Sequence, residues 1–228
     1  MKKYRYVLFD LDGTLVDSGE GITRSVEFAL AHFGIFPASR EELFCFIGPP
    51  LVDSFMRFYG FSRERAGEAA DIYRSRYRVK GVHENKVYPG IPELLESLVN
   101  AGFSPVLATS KPEVFANVVL EDTGLKRYFR FIAGAELDDA EGRKRKLRLK
   151  KDEVIAYALE QLGAEPASAL MVGDREHDIL GAKANGVDSV GVLFGFGSRG
   201  ELEEAGADYI AERPGDVLRI CLENGGTV

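Results

Sequence analysis

Five short and uninterrupted apolar runs recur along this chain, and each is followed by polar residues or glycine and then by a segment of helical character. The runs are Tyr6–Phe9, Pro105–Ala108, Phe131–Ala133, Ala169–Val172 and Ser189–Leu193. Strands that are apolar without alternation are buried on both faces, as in a parallel sheet that is covered by helices on each side. The sequence therefore predicts an α/β protein with a doubly wound parallel sheet.

Residues 17–86 interrupt this pattern, because they combine helical periodicity with many aromatic residues and arginines and contain no convincing buried strand. Helical spacing of apolar residues is found over Gly21–Phe33, Leu51–Tyr59 and Arg63–Lys80. The sheet pattern resumes near Tyr88, where Pro-Gly predicts a turn. We therefore predict a sheet domain formed by residues 1–16 and 87–228, and a helical insertion over residues 17–86.

The formal net charge of −7 argues against a nucleic-acid polymer or an anionic membrane as a partner, because both require a basic surface. The basic run over residues 143–151 is more typical of a solvated loop or a helix start. No stretch approaches the roughly 20 apolar residues of a membrane span, and no signal peptide is recognisable. We expect a cytoplasmic protein that binds a small molecule; the oligomeric state stays open.

Three of the apolar runs end in residues that suit phosphoryl chemistry. These residues are Asp10-Leu11-Asp12-Gly13, Thr109-Ser110-Lys111, and Gly173-Asp174 with Asp178. Doubly wound sheets bind ligands at the carboxyl ends of their strands, and residues two apart in extended chain point the same way. One carboxylate of the pair Asp10 and Asp12 can attack phosphorus while the other moves a proton. Crowded carboxylates favour Mg²⁺, whereas Thr109 and Ser110 can donate hydrogen bonds to phosphoryl oxygens.

These motifs resemble those of the haloacid dehalogenase superfamily of phosphohydrolases over essentially the whole chain. The matching residues are Asp10-Leu11-Asp12-Gly13-Thr14, Thr109, a lysine near the start of the predicted helix 152–162, and Gly173-Asp174 with Asp178. The resemblance implies a Rossmann-like core, with residues 17–86 as the small helical cap of the first subclass. It also implies a phosphatase with an aspartyl-phosphate intermediate, in which Asp10 is the nucleophile and Asp12 the general acid and base.

The resemblance further implies how Mg²⁺ is held. The ligands would be the Asp10 side chain, the backbone carbonyl of Asp12 and Asp174, with Asp178 acting through water or orienting the site. Thr109 and a lysine would complete the catalytic set. Aspartate at position 12 favours phosphoester hydrolysis over dehalogenation.

The identity of that lysine is less clearly fixed by the sequence. Lys151 fits best because it opens an apolar periodic helix, but Lys150 and Lys146 are close by and Lys111 is a further candidate. The residues predicted to bind substrate are Gly13, Ser110, Lys111, Gly48 and Pro49. The last two belong to a segment, residues 46–51, that resembles the cap loop facing the substrate in relatives, and an ordinary turn between helices is the alternative.

The substrate class also stays open at this level. Lys111-Pro112 favours phosphoglycolate, whereas residues 174–178 and Glu84-Asn85 favour a nucleoside 5'-monophosphate. A sugar-phosphate mutase on the same scaffold and a receiver-like protein that only accepts a phosphoryl group are the alternatives.

Two further patterns are interpreted as structural. The glycines of residues 195–200 match a dinucleotide-binding pattern, but little sheet follows them, so that we predict a glycine-rich loop before a helix. Arg74, Arg76 and Arg78 alternate within a predicted helix, and such a pattern usually forms a solvated face. The alternative is that one of them reaches a phosphate or a base, because residues 73–88 resemble those of bacterial nucleotidase-like relatives.

Overall fold

The computed structural model describes residues 4–137 and 147–224. One sheet contains the strands β1 (Tyr6–Phe9), β4 (Ser104–Pro112), β5 (Phe131–Ala135), β6 (Ala169–Gly173), β7 (Asp188–Val192) and β8 (Tyr209–Ala211). All neighbouring strands are parallel, and their order is β5-β4-β1-β6-β7-β8. The predicted α/β class and the five predicted strands are confirmed. The strand β8 was missed, because three residues at a sheet edge, two of them only half-buried, give almost no continuous apolar signal.

The central strand β1 pairs with β4 on one side and with β6 on the other. Phe9, its last residue, pairs with Leu107 of β4 and with Val172 of β6. The chain therefore leaves β1 at Asp10 beside the last residue of β6, Gly173, and beside the second half of β4, which continues to Pro112. Because the strand interior is fully buried, these ends are where polar side chains can begin to collect.

Helices cover both faces of the sheet. They are α4 (Ile91–Asn100), α5 (Glu113–Asp122), α6 (Lys151–Leu162), α7 (Glu176–Ala184), α8 (Arg199–Ala205) and α9 (Pro214–Asn224). Alternate residues of β1 face opposite layers: Phe9 belongs to the larger apolar cluster, whereas Leu8 packs with Val154 and Ile155 of α6. This two-sided burial accounts for the apolar runs in the sequence.

A helical insertion separates two short strands, β2 (Val16–Asp17) and β3 (Lys86–Val87). It contains the helices α1 (Gly19–His32), α2 (Leu51–Tyr59) and α3 (Arg63–Tyr77), together with short 3₁₀ segments at Glu41–Phe46 and Gly81–His83. The two strands pair antiparallel, with Asp17 opposite Lys86, so that the insertion leaves and rejoins the chain at one place. The three predicted helices are confirmed, whereas the division into two domains stays a prediction.

The arginines of α3 do not form the solvated face that the sequence suggested. Arg74 is buried, and Arg76 donates to both carboxylate oxygens of Glu84 at 3.0 Å and to Ser25 Oγ at 3.0 Å. Of the three arginines at positions 74, 76 and 78, only Arg78, which follows the last residue of α3, is exposed. The prediction fails because α3 packs against α1 and the returning segment, which supply polar partners for its charged side. Among the described helices, none combines the length and apolar character that a membrane crossing requires.

Candidate active site

A tight turn after β1 places two aspartates under the insertion. Asp10 continues the sheet ladder through its backbone N–H, which donates to Val172 O at 2.9 Å, and its side chain is buried. Asp12 follows two residues later and is 8% exposed. The turn depends on Gly13, whose φ of 84° lies in the left-handed region that favours glycine.

Three buried carboxylates meet at the ends of β1 and β6. Asp10, Asp174 and Asp178 each offer an oxygen atom, and these atoms lie within 4.8 Å of one another. Lys151 Nζ lies 2.8 Å from Asp10 Oδ1 and 2.8 Å from Asp178 Oδ1, and it donates to Ala108 O at 3.0 Å. One buried ammonium group therefore contacts two of the three buried carboxylates.

The excess of negative charge is visible in the pKa directions. Burial, reinforced by Asp178 and Asp10, raises the pKa of Asp174 well above its usual range. Burial also raises the pKa of Asp178 to about 6, although Lys151 opposes that shift. Burial lowers the pKa of Lys151, but the charges and hydrogen bonds of Asp10 and Asp178 outweigh that effect and hold the pKa above its usual value. A divalent cation would relieve this repulsion, and oxygen ligands in such an arrangement fit Mg²⁺.

Asp174 is held by groups from two loops. Its Oδ1 accepts from Thr14 Oγ1 at 3.3 Å, and its Oδ2 accepts from the backbone N–H of Phe196 at 2.8 Å. A Cβ atom on Gly195 or on Gly197 would overlap Asp174 or the backbone beside it. Residues 195–197 of the glycine-rich loop therefore pack against a site carboxylate. The sequence did not predict this role, because the pattern alone indicated only a turn.

The glycines that flank the aspartates are explained in the same way. A Cβ atom on Gly13 would overlap the carboxylate of Asp174, and one on Gly173 would overlap the carboxylate of Asp178. Asp178 itself lies in the first turn of α7, where its Oδ2 accepts from the backbone N–H of Arg175 at 3.1 Å. Gly13 thus lies behind Asp174 and outside the residues that line the cleft, and its assignment to substrate binding stays a prediction.

Asp12 is paired with a lysine from the end of β4. Lys111 Nζ donates to both carboxylate oxygens of Asp12 at 2.7 Å, and it lies 5.1 Å from the centre of the Tyr77 ring. The backbone N–H of Lys111 donates to Thr109 Oγ1 at 3.2 Å. Sequence reasoning placed Lys111 near the substrate but gave no signal for its contact with Asp12, which lies 99 residues away in the chain.

A cleft of about 340 Å³ opens between these strand ends and the insertion. Its sheet-side wall includes Asp10, Asp12, Thr109, Ser110 and Lys111. Its insertion-side wall includes Ile22, Phe46, Gly48, Pro49, Pro50, Tyr73, Arg74 and Tyr77. The structure therefore brings Gly48 and Pro49 to the same space as the two aspartates, whereas Asp174 and Asp178 lie deeper, beyond the cleft lining.

The candidates for the lysine of the catalytic set occupy different places. Lys151 contacts Asp10 and Asp178, Lys111 contacts Asp12, and Lys150 lines the cleft. Lys146 lies outside the described residues. Only Lys151 among the three described lysines is in direct contact with the carboxylate cluster.

Comparison with known proteins agrees with this geometry. The family model for haloacid dehalogenase-like hydrolases matches residues 7–192. A 5'-nucleotidase of Pseudomonas aeruginosa is 50% identical over 200 residues, which cover 88% of this chain and 87% of that protein. Phosphoglycolate phosphatase 1 of the same organism is 31% identical over 223 residues, with 94% and 78% covered.

Two further relatives widen the comparison. The tyrosine-protein kinase PtkA of Mycobacterium tuberculosis is 40% identical over 191 residues, which cover 84% of this chain but only 62% of that protein. A predicted phosphatase from Clostridium acetobutylicum, solved by crystallography, is 47% identical in sequence to this chain. The two structures superpose with a TM-score of 0.91, and the match covers 97% of this chain and 99% of that one. With the family model spanning most of the sequence, this chain belongs to the haloacid dehalogenase-like hydrolases and is a phosphatase.

Proposed function

We propose that the protein is a Mg²⁺-dependent phosphomonoester hydrolase that works through an aspartyl-phosphate on Asp10, with residues 17–86 acting as a cap. The observation that carries the proposal is the buried cluster of Asp10, Asp174, Asp178 and Lys151 beside the Asp12–Lys111 pair. A structural ion-pair network would not need three carboxylates for one lysine, nor would it open on a cleft.

In the first step, a carboxylate oxygen of Asp10 attacks phosphorus and the ester P–O bond breaks. The leaving oxygen takes a proton from Asp12, which lies on the same wall of the cleft. Lys111, bound to both oxygens of Asp12, orients that carboxyl group. The products are the alcohol and a phosphoryl group bound to Asp10.

In the second step, Asp12 accepts a proton from a water molecule that attacks the same phosphorus atom. The P–O bond to Asp10 breaks, which restores its carboxylate and releases inorganic phosphate. Asp12 regains the proton that it gave to the leaving group, so that proton and charge balance over one turnover. This second role requires Asp12 to remain beside the phosphoryl group after the alcohol has left.

Several residues would stabilise the phosphoryl group during both steps. Thr109 and Ser110 line the cleft next to Asp10 and can donate hydrogen bonds to its oxygens. Lys151 stays protonated and offsets charge on Asp10. Asp10, Asp174, Asp178 and the Asp12 carbonyl would hold Mg²⁺, which would neutralise phosphoryl charge and align the group for attack.

A nucleoside 5'-monophosphate is the substrate that we favour. The relative with 50% identity is named a 5'-nucleotidase. The cleft also offers the rings of Phe46, Tyr73, Tyr77 and Phe115, which suit a flat base. Phosphoglycolate is the second candidate, because Arg74 and Lys111 line the same cleft and could pair with a carboxylate.

The mechanism is tested with p-nitrophenyl phosphate in the presence of Mg²⁺. We expect Asp10→Asn to abolish hydrolysis, and Asp12→Asn to release one p-nitrophenolate per enzyme before turnover slows, because this leaving group needs no proton but the intermediate still needs a base. Mass spectrometry should then find the phosphoryl group on Asp10. Full activity of Asp10→Asn would refute the mechanism, and a burst without phosphate release in wild type would favour the receiver-like alternative.

The substrate is tested by comparing kcat/KM for nucleoside 5'-monophosphates with that for phosphoglycolate. A preference for nucleotides of at least about tenfold, or ~1.4 kcal/mol in transition-state binding, is expected. The reverse preference would support the second candidate. Transfer of the phosphoryl group to a sugar phosphate in place of water would identify the mutase alternative.

A further inference from the structure

Arg175 connects the sheet side of the molecule to the insertion. It lies between β6 and α7, and its Nη1 donates to the backbone carbonyl of Ile47 at 2.8 Å. Its Nε donates to Glu201 Oε1 at 2.8 Å. Glu201 also accepts the backbone N–H of Glu176 at 2.9 Å, so that the acceptor is itself fixed at the start of α7. The guanidinium group is therefore held on the sheet side and directed at one carbonyl of the insertion.

A second contact joins the same two parts of the chain. The ring of Phe44 lies 5.6 Å from the ring of Phe196, measured between their centres. The backbone N–H of Phe196 binds Asp174, and the backbone N–H of Arg175 binds Asp178. The insertion thus rests on the two segments that orient the deeper carboxylates.

The carbonyl that Arg175 binds immediately precedes a wall of the cleft. Ile47 is fully buried, and Gly48, Pro49 and Pro50 follow it along the cleft. Gly48 adopts a φ of 104°, and a Cβ atom there would lie 3.4 Å from Arg175 Cγ. The side chain of Arg175 therefore contacts the start of this wall from outside the cleft, which it does not itself line.

We propose that Arg175 is a positioning residue that holds the wall formed by residues 48–50 against the phosphoryl site, and that Glu201 orients its guanidinium. The inference rests on the proposed phosphatase function, because the wall would contact the leaving group of a phosphomonoester. The effect of Arg175 on kcat/KM should therefore grow with the size of the leaving group. In this role the side chain of Arg175 binds Ile47 and Glu201, and only its backbone N–H contacts a carboxylate of the candidate site, that of Asp178.

Removing the guanidinium leaves the catalytic carboxylates in place. The contact with Asp178 uses the backbone N–H of Arg175, which survives in Arg175→Ala. A hydrogen bond from a charged donor contributes roughly 1.5–3 kcal/mol. Its loss should therefore change the equilibrium constant between the closed and the displaced wall by at least about tenfold. Arg175→Lys keeps one donor for Ile47 and should recover part of the effect. Arg199→Ala is the matched control, because Arg199 pairs on the surface with Glu203 and Glu212.

Hydrogen exchange on the ligand-free protein tests the contact without reference to catalysis. We expect exchange of the amides in residues 44–50 to rise about tenfold in Arg175→Ala. In Arg175→Ala, the amides of α4 should exchange at the wild-type rate. In the control Arg199→Ala, all amides outside α8 should exchange at the wild-type rate. Unchanged exchange in residues 44–50 would overturn the proposal, and so would an equal rise throughout the chain, which would indicate global destabilisation.

Steady-state kinetics with phenyl phosphate and methyl phosphate test the consequence for the substrate. Relative to wild type, Arg175→Ala should lose about tenfold in kcat/KM for phenyl phosphate and markedly less for methyl phosphate, because only the larger group reaches the wall. An equal loss for both esters would refute the positioning role. If wild type hydrolyses neither ester, the proposed function fails, whereas the exchange experiment still decides the contact.

Discussion

Replacing Lys151 with methionine should destabilise the metal-free protein strongly. The side chain is buried and contacts Asp10 Oδ1 and Asp178 Oδ1, each at 2.8 Å. At an effective dielectric constant of about 20, each contact corresponds to about 6 kcal/mol of attraction before desolvation is subtracted. Because burying the ammonium group offsets much of that attraction, the net loss on removing one partner of a buried pair is about 3–5 kcal/mol.

The loss of stability caused by Lys151→Met should depend on pH, and the ionisation of Asp178 determines whether it grows or shrinks as pH rises. Asp178 already has a pKa raised to about 6 by burial, so that the folded protein binds a proton more tightly than the unfolded chain and loses stability as pH rises between about 4 and 6. Lys151 opposes that shift, so that without it the pKa of Asp178 rises further and the pH range over which stability is lost extends upward. The penalty of Lys151→Met should therefore be larger at pH 7.5 than at pH 5.5.

Thermal denaturation in EDTA measures this penalty. For a chain of this size, about 3–5 kcal/mol corresponds to a fall in Tm of roughly 6–20 °C. Lys150→Met is the control, because Lys150 is exposed at the helix start and surface substitutions usually change stability by less than about 0.5 kcal/mol. Equal effects of the two substitutions, or a penalty for Lys151→Met that grows toward low pH, would refute the assigned electrostatics.

Two further substitutions test the turn and the proton donor. Gly13→Ala should lower the free energy of unfolding by several kcal/mol and weaken Mg²⁺ binding measured by calorimetry, because the added Cβ overlaps the Asp174 carboxylate. Gly34→Ala is the control: with a φ of 72° and nothing within 4 Å of the added atom, it should lower the free energy of unfolding by only about 1–2 kcal/mol. Equal losses for the two variants would contradict the overlap argument. Lys111→Met should lower kcat/KM more for methyl phosphate than for p-nitrophenyl phosphate, because only the alkoxide needs the proton of Asp12; an equal loss would argue against an orienting role for Lys111.

The sheet and the three strand-end motifs were predictable because they are encoded locally. Apolar runs specify buried strands, and the rule for doubly wound sheets then brings Asp10, Thr109 and Asp174 to one edge. The short strands β2 and β3 and the edge strand β8 escaped, since two or three residues carry no period. Their existence depends on pairing partners that are distant in the sequence.

The contacts that complete the candidate site were not predictable for the same reason. Lys111 and Asp12 are 99 residues apart, and Arg175 and Ile47 are 128 apart. The local sequence around Lys111 or Arg175 gives no indication of which distant residue it contacts. The loop containing Phe196 was recognised as a turn, but its donation to Asp174 follows from how β7 returns beside β6, which periodicity cannot show.

The antiparallel pairing of β2 and β3 has a consequence for how enzymes of this architecture diverge. Since Asp17 and Lys86 are opposite each other, the insertion enters and leaves through one narrow neck. Changes in length or sequence between these two points can reshape what the cleft admits, while the strand ends that carry the phosphoryl-transfer residues keep their places. In the proposed function, the chemistry would reside at the strand ends and much of the substrate selectivity between these two points, so that selectivity could be altered in evolution or in the laboratory while the catalytic residues are kept.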